Sequence, residues 1–216
     1  MEKLDETYLI FDLDGTLTDS AEGVIHTAQF MMKKMGMEPW SDEDLRFMVG
    51  PPLMNTFRND FGMNEQEAQK ALVIFRSQYF NVGAMENKVY DGIVPMLQAL
   101  KRKGKCLAVA TSKNEAAAQK ILKHFGLDIY FDVIGGDTEE NDRNCKAKVL
   151  AHVIDQLRIK PKEAVMIGDR HHDVEGAHQI GMPCVAVGWG YGTPEEFLEC
   201  GADFIAKTPA DLAGLF

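Results

Sequence analysis

The chain has 216 residues, 45% hydrophobic and 26% charged, with a formal net charge of −10. This suits a soluble globular protein with one large domain, or a core domain plus a smaller one, and leaves enough chain to bury a substantial core. The acidic balance excludes a nucleic-acid or anionic-membrane surface, because clustered Lys and Arg hold phosphate backbones; a small anionic substrate stays compatible if its pocket is locally positive.

The N-terminus, Met1-Glu2-Lys3-Leu4-Asp5-Glu6, is acidic and the longest apolar runs are strand-sized. Neither a secretory leader nor a membrane-spanning helix is expected. Cys106, Cys145, Cys184 and Cys200 form no C-x-x-C pair, and two lie in apparent buried strands. Reduced thiols in a cytoplasmic protein follow.

Tyr8-Leu9-Ile10-Phe11 is an apolar run that stops on Asp12-Leu13-Asp14-Gly15-Thr16-Leu17. It reads as a strand buried on both faces, with Asp12 at its carboxyl end, where open α/β sheets place their ligands. Two carboxylates one residue apart, beside a glycine that permits a tight turn, suit a hard cation and a transferable phosphoryl group.

From about Ala21 to Asn87 the sequence shows helical patterns and no convincing strand. Ala21 to Met37 is amphipathic, Ser41 with Asp44 resembles a capping box, Gly50-Pro51-Pro52 is a break, and Glu65 to Phe80 keeps helical period. Met31, Met32, Met35, Met37, Met48 and Met54 read as the core of this helical insertion.

After Tyr90 strands and helices alternate. The expected helices are Ile93 to Lys103, Asn114 to Phe125, Lys146 to Leu157 and Asp173 to Ile180; the expected strands are Cys106 to Ala110, Asp132 to Gly135, Ala164 to Gly168 and Cys184 to Val187. Repeated βα units of this length predict an α/β fold: a Rossmann-like parallel sheet with helices on both faces and right-handed crossovers, carrying a small helical domain inserted after the first strand. The expected division is residues 1–18 with 88–216 for the core and 19–87 for the insertion.

Three strand ends then carry polar groups at one rim: Asp12 with Asp14, Thr111 with Ser112 and Lys113, and Asp169 with Asp173. Arg143-Asn144-Cys145-Lys146-Ala147-Lys148 adds a lysine at a helix start, Lys146 being favoured over Lys148. His171 and His172 read as exposed loop residues, and residues 137–142 as a solvated acidic loop. Gly188-Trp189-Gly190-Tyr191-Gly192 reads equally as a close-approach turn at the rim or as a plain turn before a helix beginning at Thr193-Pro194.

Taken together, Asp12 to Leu17, Thr111, Lys146 and Gly168-Asp169-Arg170-His171-His172-Asp173 resemble the four motifs of the haloacid dehalogenase superfamily, in its phosphatase branch with a helical cap, nearest the phosphoglycolate phosphatase-like members. The resemblance implies Asp12 as nucleophile, forming an aspartyl-phosphate, and Asp14 as proton donor and acceptor. It implies Mg²⁺ held by Asp12, Asp169 and the carbonyl of Asp14, with Asp173 ligating directly or through water. Thr111 would bind phosphoryl oxygens and Lys146 would offset charge, with Gly15, Thr16, Ser112, Lys113, Arg46 and Arg58 lining the substrate's place. The implied partner is a small phosphorylated metabolite, without nucleic acid or membrane, and the implied assembly a monomer or homodimer. Asp14 argues against dehalogenation, and Thr16 against a β-phosphoglucomutase-like isomerase; a cytoplasmic 5'-nucleotidase and a sugar-phosphate phosphatase stay open.

Overall fold

In a computed structural model, residues 4–51, 53–138 and 143–216 are described. The chain divides into two units, Met1–Thr18 with Val89–Phe216, and Asp19–Lys88.

The first unit begins with β1 (Tyr8–Phe11), in which Leu9, Ile10 and Phe11 are fully buried. Burying each of these side chains contributes roughly 1.5–3 kcal/mol. β1 therefore anchors the centre of the sheet. After the Gly15 turn come β2 (Thr18–Asp19) and then, in the second unit, α1 (Ala21–Lys34), α2 (Leu53–Asn59) and α3 (Glu65–Asn81); β3 (Lys88–Val89) pairs with β2.

Within the second unit, α1 buries Ala28, Met31 and Met32, and α3 buries Ala68, Leu72 and Phe75. Met48 is also buried, so part of the methionine cluster is core there. Asn64 and Glu67 form a reciprocal cap at the start of α3, at 3.1 and 3.0 Å. Of the expected Ser41–Asp44 capping box one half forms, Asp44 N–H donating to Ser41 Oγ at 3.2 Å, while the Ser41 hydroxyl donates to Asp44 Oδ2 at 2.6 Å and only a short 3₁₀ turn, Arg46–Met48, follows. Too few residues separate it from the Gly50-Pro51 break to repay helix nucleation. α1 stops at Lys34 rather than Met37 because Gly36 turns the chain at φ +77°.

The first unit resumes with α4 (Ile93–Arg102), β4 (Cys106–Asn114), α5 (Glu115–His124) and β5 (Val133–Asp137). Then come α6 (Lys146–Leu157), β6 (Ala164–Gly168), α7 (His171–Gln179), β7 (Cys184–Val187), α8 (Pro194–Glu199), β8 (Phe204–Ala206) and α9 (Pro209–Leu215). The six strands run parallel in the order β5-β4-β1-β6-β7-β8, with helices on both sides, as the alternation predicts. Ile10, Ala108, Ala110 and Met166 of the sheet pack with Val149, Leu150 and Val153 of α6 and Val174 and Ala177 of α7. Because β1 has β4 on one side and β6 on the other, the carboxyl ends of these three strands stand together, at the switch in strand order where such sheets bind ligands.

β8 and α9 lie beyond the elements expected from sequence; three and seven residues are too short to show a period. Most of the expected acidic loop, residues 137–142, falls outside the described residues. Cys106, Cys145, Cys184 and Cys200 are free thiols. Among the described residues no helix is long and apolar enough to cross a membrane.

Candidate active site

Asp12 follows β1 directly and is tied to the neighbouring strand by its N–H, which donates to the Ile167 carbonyl at 2.8 Å. The next residues close into a loop: Gly15 N–H donates to Thr18 O at 2.8 Å and Leu17 N–H to Leu13 O at 2.9 Å. Gly15 adopts φ +78°, and a Cβ there would stand 2.1 Å from Asp169 Oδ2. Both constraints demand glycine.

Lys146, at the start of α6, is the centre of the cluster. Its Nζ lies 3.0 Å from Asp12 Oδ1 and 2.7 Å from Asp173 Oδ1, and donates to the Ala110 carbonyl at 3.1 Å. Lys148 is exposed and bonds to Asn144, so geometry separates the two lysines. Gly176 makes the close approach of α6 and α7 possible, since a Cβ on it would stand 2.8 Å from the Lys146 side chain. Sequence reading overlooked Gly176; a glycine inside a helical stretch was the available signal.

Asp173 sits in the first turn of α7, which begins at His171 rather than at Asp173 itself. One of its oxygens takes Lys146, and the other accepts from Arg170 N–H at 3.1 Å, so it also serves the helix start. Thr111, buried within β4 just past Ala110, where the strand's register shifts and the chain continues as far as Asn114 rather than ending at Ala110 as expected, hydrogen-bonds Asp12. Ser112 is half-buried beside it, and Lys113 Nζ pairs with Asp14 Oδ2 at 2.9 Å. Thr16 directs its hydroxyl to Asp169 Oδ1 at 3.3 Å. The rim thus gathers Asp12, Asp14, Gly15, Thr16, Thr111, Lys113, Lys146, Asp169 and Asp173. Arg46 and Arg58 belong to the other unit, where Arg46 is exposed and Arg58 is ion-paired with Glu65.

The Gly-rich turn is a close-approach turn. A Cβ at Gly190 would stand 2.4 Å from Asp169 Cβ, and one at Gly192 2.0 Å from the Asp169 carbonyl. Tyr191 N–H donates to Asp169 Oδ2 at 2.8 Å, and Trp189 Nε1–H to the Thr16 carbonyl at 2.9 Å. His172 departs from expectation: it lies on the first turn of α7, partly buried, rather than exposed in a loop. Donor atoms of Asp12, His172 and Asp173 lie within 4.8 Å of one another.

The charges explain the protonation pattern. Burial pushes the Asp12 carboxyl up to about 6, with Lys146 and Thr111 pulling against it and Asp173 and Asp14 adding repulsion. Burial, then Asp173 and Asp12, hold Asp169 well above the ordinary range. Burial also acts upward on Asp173, but Lys146 and His172 outweigh it and hold its carboxyl low. Burial favours the neutral form of Lys146, yet Asp12 and Asp173 overcome it and raise the ammonium's pKa. Burial lowers His172 to about 4, so its imidazole is neutral near pH 7. Asp12, Asp169 and Asp173 are buried and repel one another, and of the three Asp12 and Asp173 contact the Lys146 ammonium, a balance of −3 + 1 = −2 for these four groups when all are ionised. Carboxylate oxygens short of two positive charges fit a hard divalent cation, and the His172 nitrogen in the same donor group adds a softer ligand beside them.

A doubly wound parallel sheet with a lysine-centred acidic site at its carboxyl rim defines the class as an α/β enzyme. The sequence profile of the haloacid dehalogenase-like hydrolases matches residues 9–187, and the chain belongs to that family of hydrolases. The tyrosine-protein kinase PtkA of Mycobacterium tuberculosis is 45% identical over 93% of this chain, which spans only 65% of that protein's length. A 5'-nucleotidase of Pseudomonas aeruginosa is 37% identical, over 87% of this chain and 85% of its own, and phosphoglycolate phosphatases are also among the relatives. The crystal structure of a predicted phosphatase from Clostridium acetobutylicum superposes with a TM-score of 0.92 at 38% identity, covering 97% of each chain.

Proposed function

We propose that the protein is a Mg²⁺-dependent phosphatase of small phosphomonoesters, phosphoglycolate phosphatase-like, working through an aspartyl-phosphate on Asp12. The observation that carries this reading is the shared Lys146: its ammonium is bound to both Asp12 and Asp173 in a buried cluster that is still two positive charges short. Asp12, Asp169 and the Asp14 carbonyl would hold the cation, with Asp173 reaching it directly or through water. When bound, the cation supplies charge neutralisation at the phosphoryl oxygens.

An Asp12 oxygen attacks phosphorus and the P–O ester bond breaks, while Asp14 gives its proton to the departing oxygen. Water then attacks the phosphoryl group and loses a proton to Asp14, releasing phosphate and restoring the Asp12 carboxylate. Thr111 holds phosphoryl oxygens, and Lys146 keeps Asp12 oriented and tempers the charge that gathers around it. Gly15, Thr16 and Ser112 shape the phosphoryl end. No single contact suffices for hydrolysis of a phosphate monoester, which requires acceleration up to about 10²¹-fold.

The nucleotidase relative supports a nucleoside monophosphate as the competing substrate, and the PtkA relatives support a protein side chain as an alternative phosphoryl acceptor. Purified protein with Mg²⁺ is expected to release phosphate from members of a phosphomonoester panel. Transfer of label from ATP to a protein, or conversion of a sugar 1-phosphate to its 6-phosphate, without phosphate release would replace hydrolysis with transfer.

A further inference from the structure

The turn between β6 and α7, which carries Asp169 and leads to Asp173, is gripped by a side chain that the scheme above leaves unused. Glu196 lies in the first turn of α8. Its Oε1 accepts from the His171 N–H at 2.7 Å and lies 2.8 Å from His171 Nδ1, while Arg170 Nε donates to Oε1 at 3.0 Å and to Oε2 at 3.3 Å. The His171 N–H is in the first turn of α7, where the helix itself offers no carbonyl to take it. The Arg170 and Glu196 side chains are only 19% and 20% exposed, so the pair is poorly hydrated. Local spacing favours a different bond for Glu196. Thr193-Pro194-Glu195-Glu196 has the pattern of a capping box, and Thr193 Oγ1 does accept from the Glu196 N–H at 3.2 Å. In α9 the same spacing closes both halves, between Thr208 and Asp211 at 3.1 and 3.0 Å. In α8 the carboxylate crosses to α7, and no return bond to Thr193 is present among the described residues.

We propose that Glu196 is a positioning residue for the cation: through Arg170 and His171 it keeps Asp169 and Asp173 in the arrangement the cation binds, and it draws the Arg170 guanidinium away from Asp169. The inference rests on the cation-site part of the phosphatase reading, and it gives Glu196 no contact with cation or substrate. Two links carry the effect. The first is charge. Arg170 follows Asp169 in the chain, and its positive charge acts on that carboxyl. Without Glu196, Arg170 has one counter-charge fewer and can turn to Asp169, competing for the oxygens that the cation needs. The second is geometry. The Arg170 N–H donates to Asp173 Oδ2 at 3.1 Å, so a displacement of Arg170 is passed directly to Asp173. Mg²⁺ tolerates little distortion of its ligands, so carboxylates that wander bind it poorly. The Gly188–Gly192 turn, which leads into α8, holds Asp169 itself through the Tyr191 N–H, and Glu196 extends the same brace along the chain toward Asp173.

The test is Mg²⁺ affinity by calorimetry for the wild type, E196Q, E196A and the double variant R170Q/E196Q, with D169N as the variant that removes a proposed ligand. E196Q keeps an oxygen for the His171 N–H but loses the charge, and E196A loses both. E196Q is expected to bind Mg²⁺ about tenfold more weakly, at the lower end of what the loss of an outer-shell partner costs, and E196A more weakly still. In R170Q/E196Q part of the affinity should return, because the competing guanidinium is gone. A side chain that only packs α8 against α7 would give no such rescue. Wild-type affinity in folded E196Q and E196A would overturn the proposal, and so would a double variant that binds no better than E196Q; either result leaves the cation site itself intact. A wild type that binds no Mg²⁺, or D169N binding as tightly as the wild type, would overturn the cation site and the proposal together. Melting temperatures identify any variant that does not fold, and E196Q with R170Q/E196Q carries the comparison if E196A is lost.

Discussion

Lys146 has three partners within 3.1 Å, and two of them are buried carboxylates. K146M therefore leaves Asp12 and Asp173 facing each other without counter-charge, and at pH 8 should cost about 3–5 kcal/mol of stability in urea unfolding. At pH 5 the loss should be smaller, because Asp12, raised to about 6, is then largely protonated. An equal loss at both pH values would mean that packing, not charge, is what Lys146 supplies. Gly190 is the other residue whose identity is dictated by contact. In G190A the new methyl meets Asp169 Cβ at 2.4 Å and the Gly15 carbonyl at 2.3 Å, so the turn or the carboxylate has to move. A destabilisation of roughly 1–3 kcal/mol and weaker Mg²⁺ binding by calorimetry are expected.

Among the elements, the Gly188–Gly192 turn shows where reading from sequence stops. Glycine spacing predicted either a rim contact or a plain turn; only the fold brings Trp189 to the Thr16 carbonyl and Tyr191 to Asp169, across more than 20 positions of chain. W189F removes the indole donor while keeping most of the ring volume, and should cost about 1 kcal/mol in thermal unfolding; no change would make that hydrogen bond incidental. The strands were legible because burial on both faces writes continuous apolar runs such as Leu9-Ile10-Phe11 and Val165-Met166-Ile167. Their polar ends were legible for the complementary reason, that a buried strand has no structural need for Asp12 or Asp169. For Gly176 the sequence shows only a glycine inside a helical stretch, not the Lys146 side chain it meets across the α6–α7 packing, and for His172 it does not show the approach to Asp12. Ser41 and Asp44 bond to each other but complete only half of the capping box expected of them, and a cap does not lengthen the chain available for a helix.

For the whole molecule, the buried carboxylates couple stability to pH and to the cation. Asp12 titrates near 6 when folded and near 4 when unfolded, so between these values the folded state binds more protons. Asp169 adds to the effect in the same direction. Stability of the metal-free protein should therefore fall as pH rises from about 4 through about 6. Asp173, held low, contributes in the opposite sense, and its share disappears only below the ordinary carboxylate range. On the proposed reading Mg²⁺ would compete with protons for the same oxygens, so it should raise the melting temperature more at pH 7.5 than at pH 5. An equal rise at both would place its binding elsewhere. The central claim, that Asp12 is the nucleophile of a Mg²⁺-dependent phosphatase, is tested most directly by phosphate release from a phosphomonoester panel by the wild type and D12N. The account predicts Mg²⁺-dependent release by the wild type and at least a roughly 10³-fold loss in folded D12N, about 4 kcal/mol of transition-state stabilisation. Full activity in D12N, or release indifferent to Mg²⁺, would contradict it.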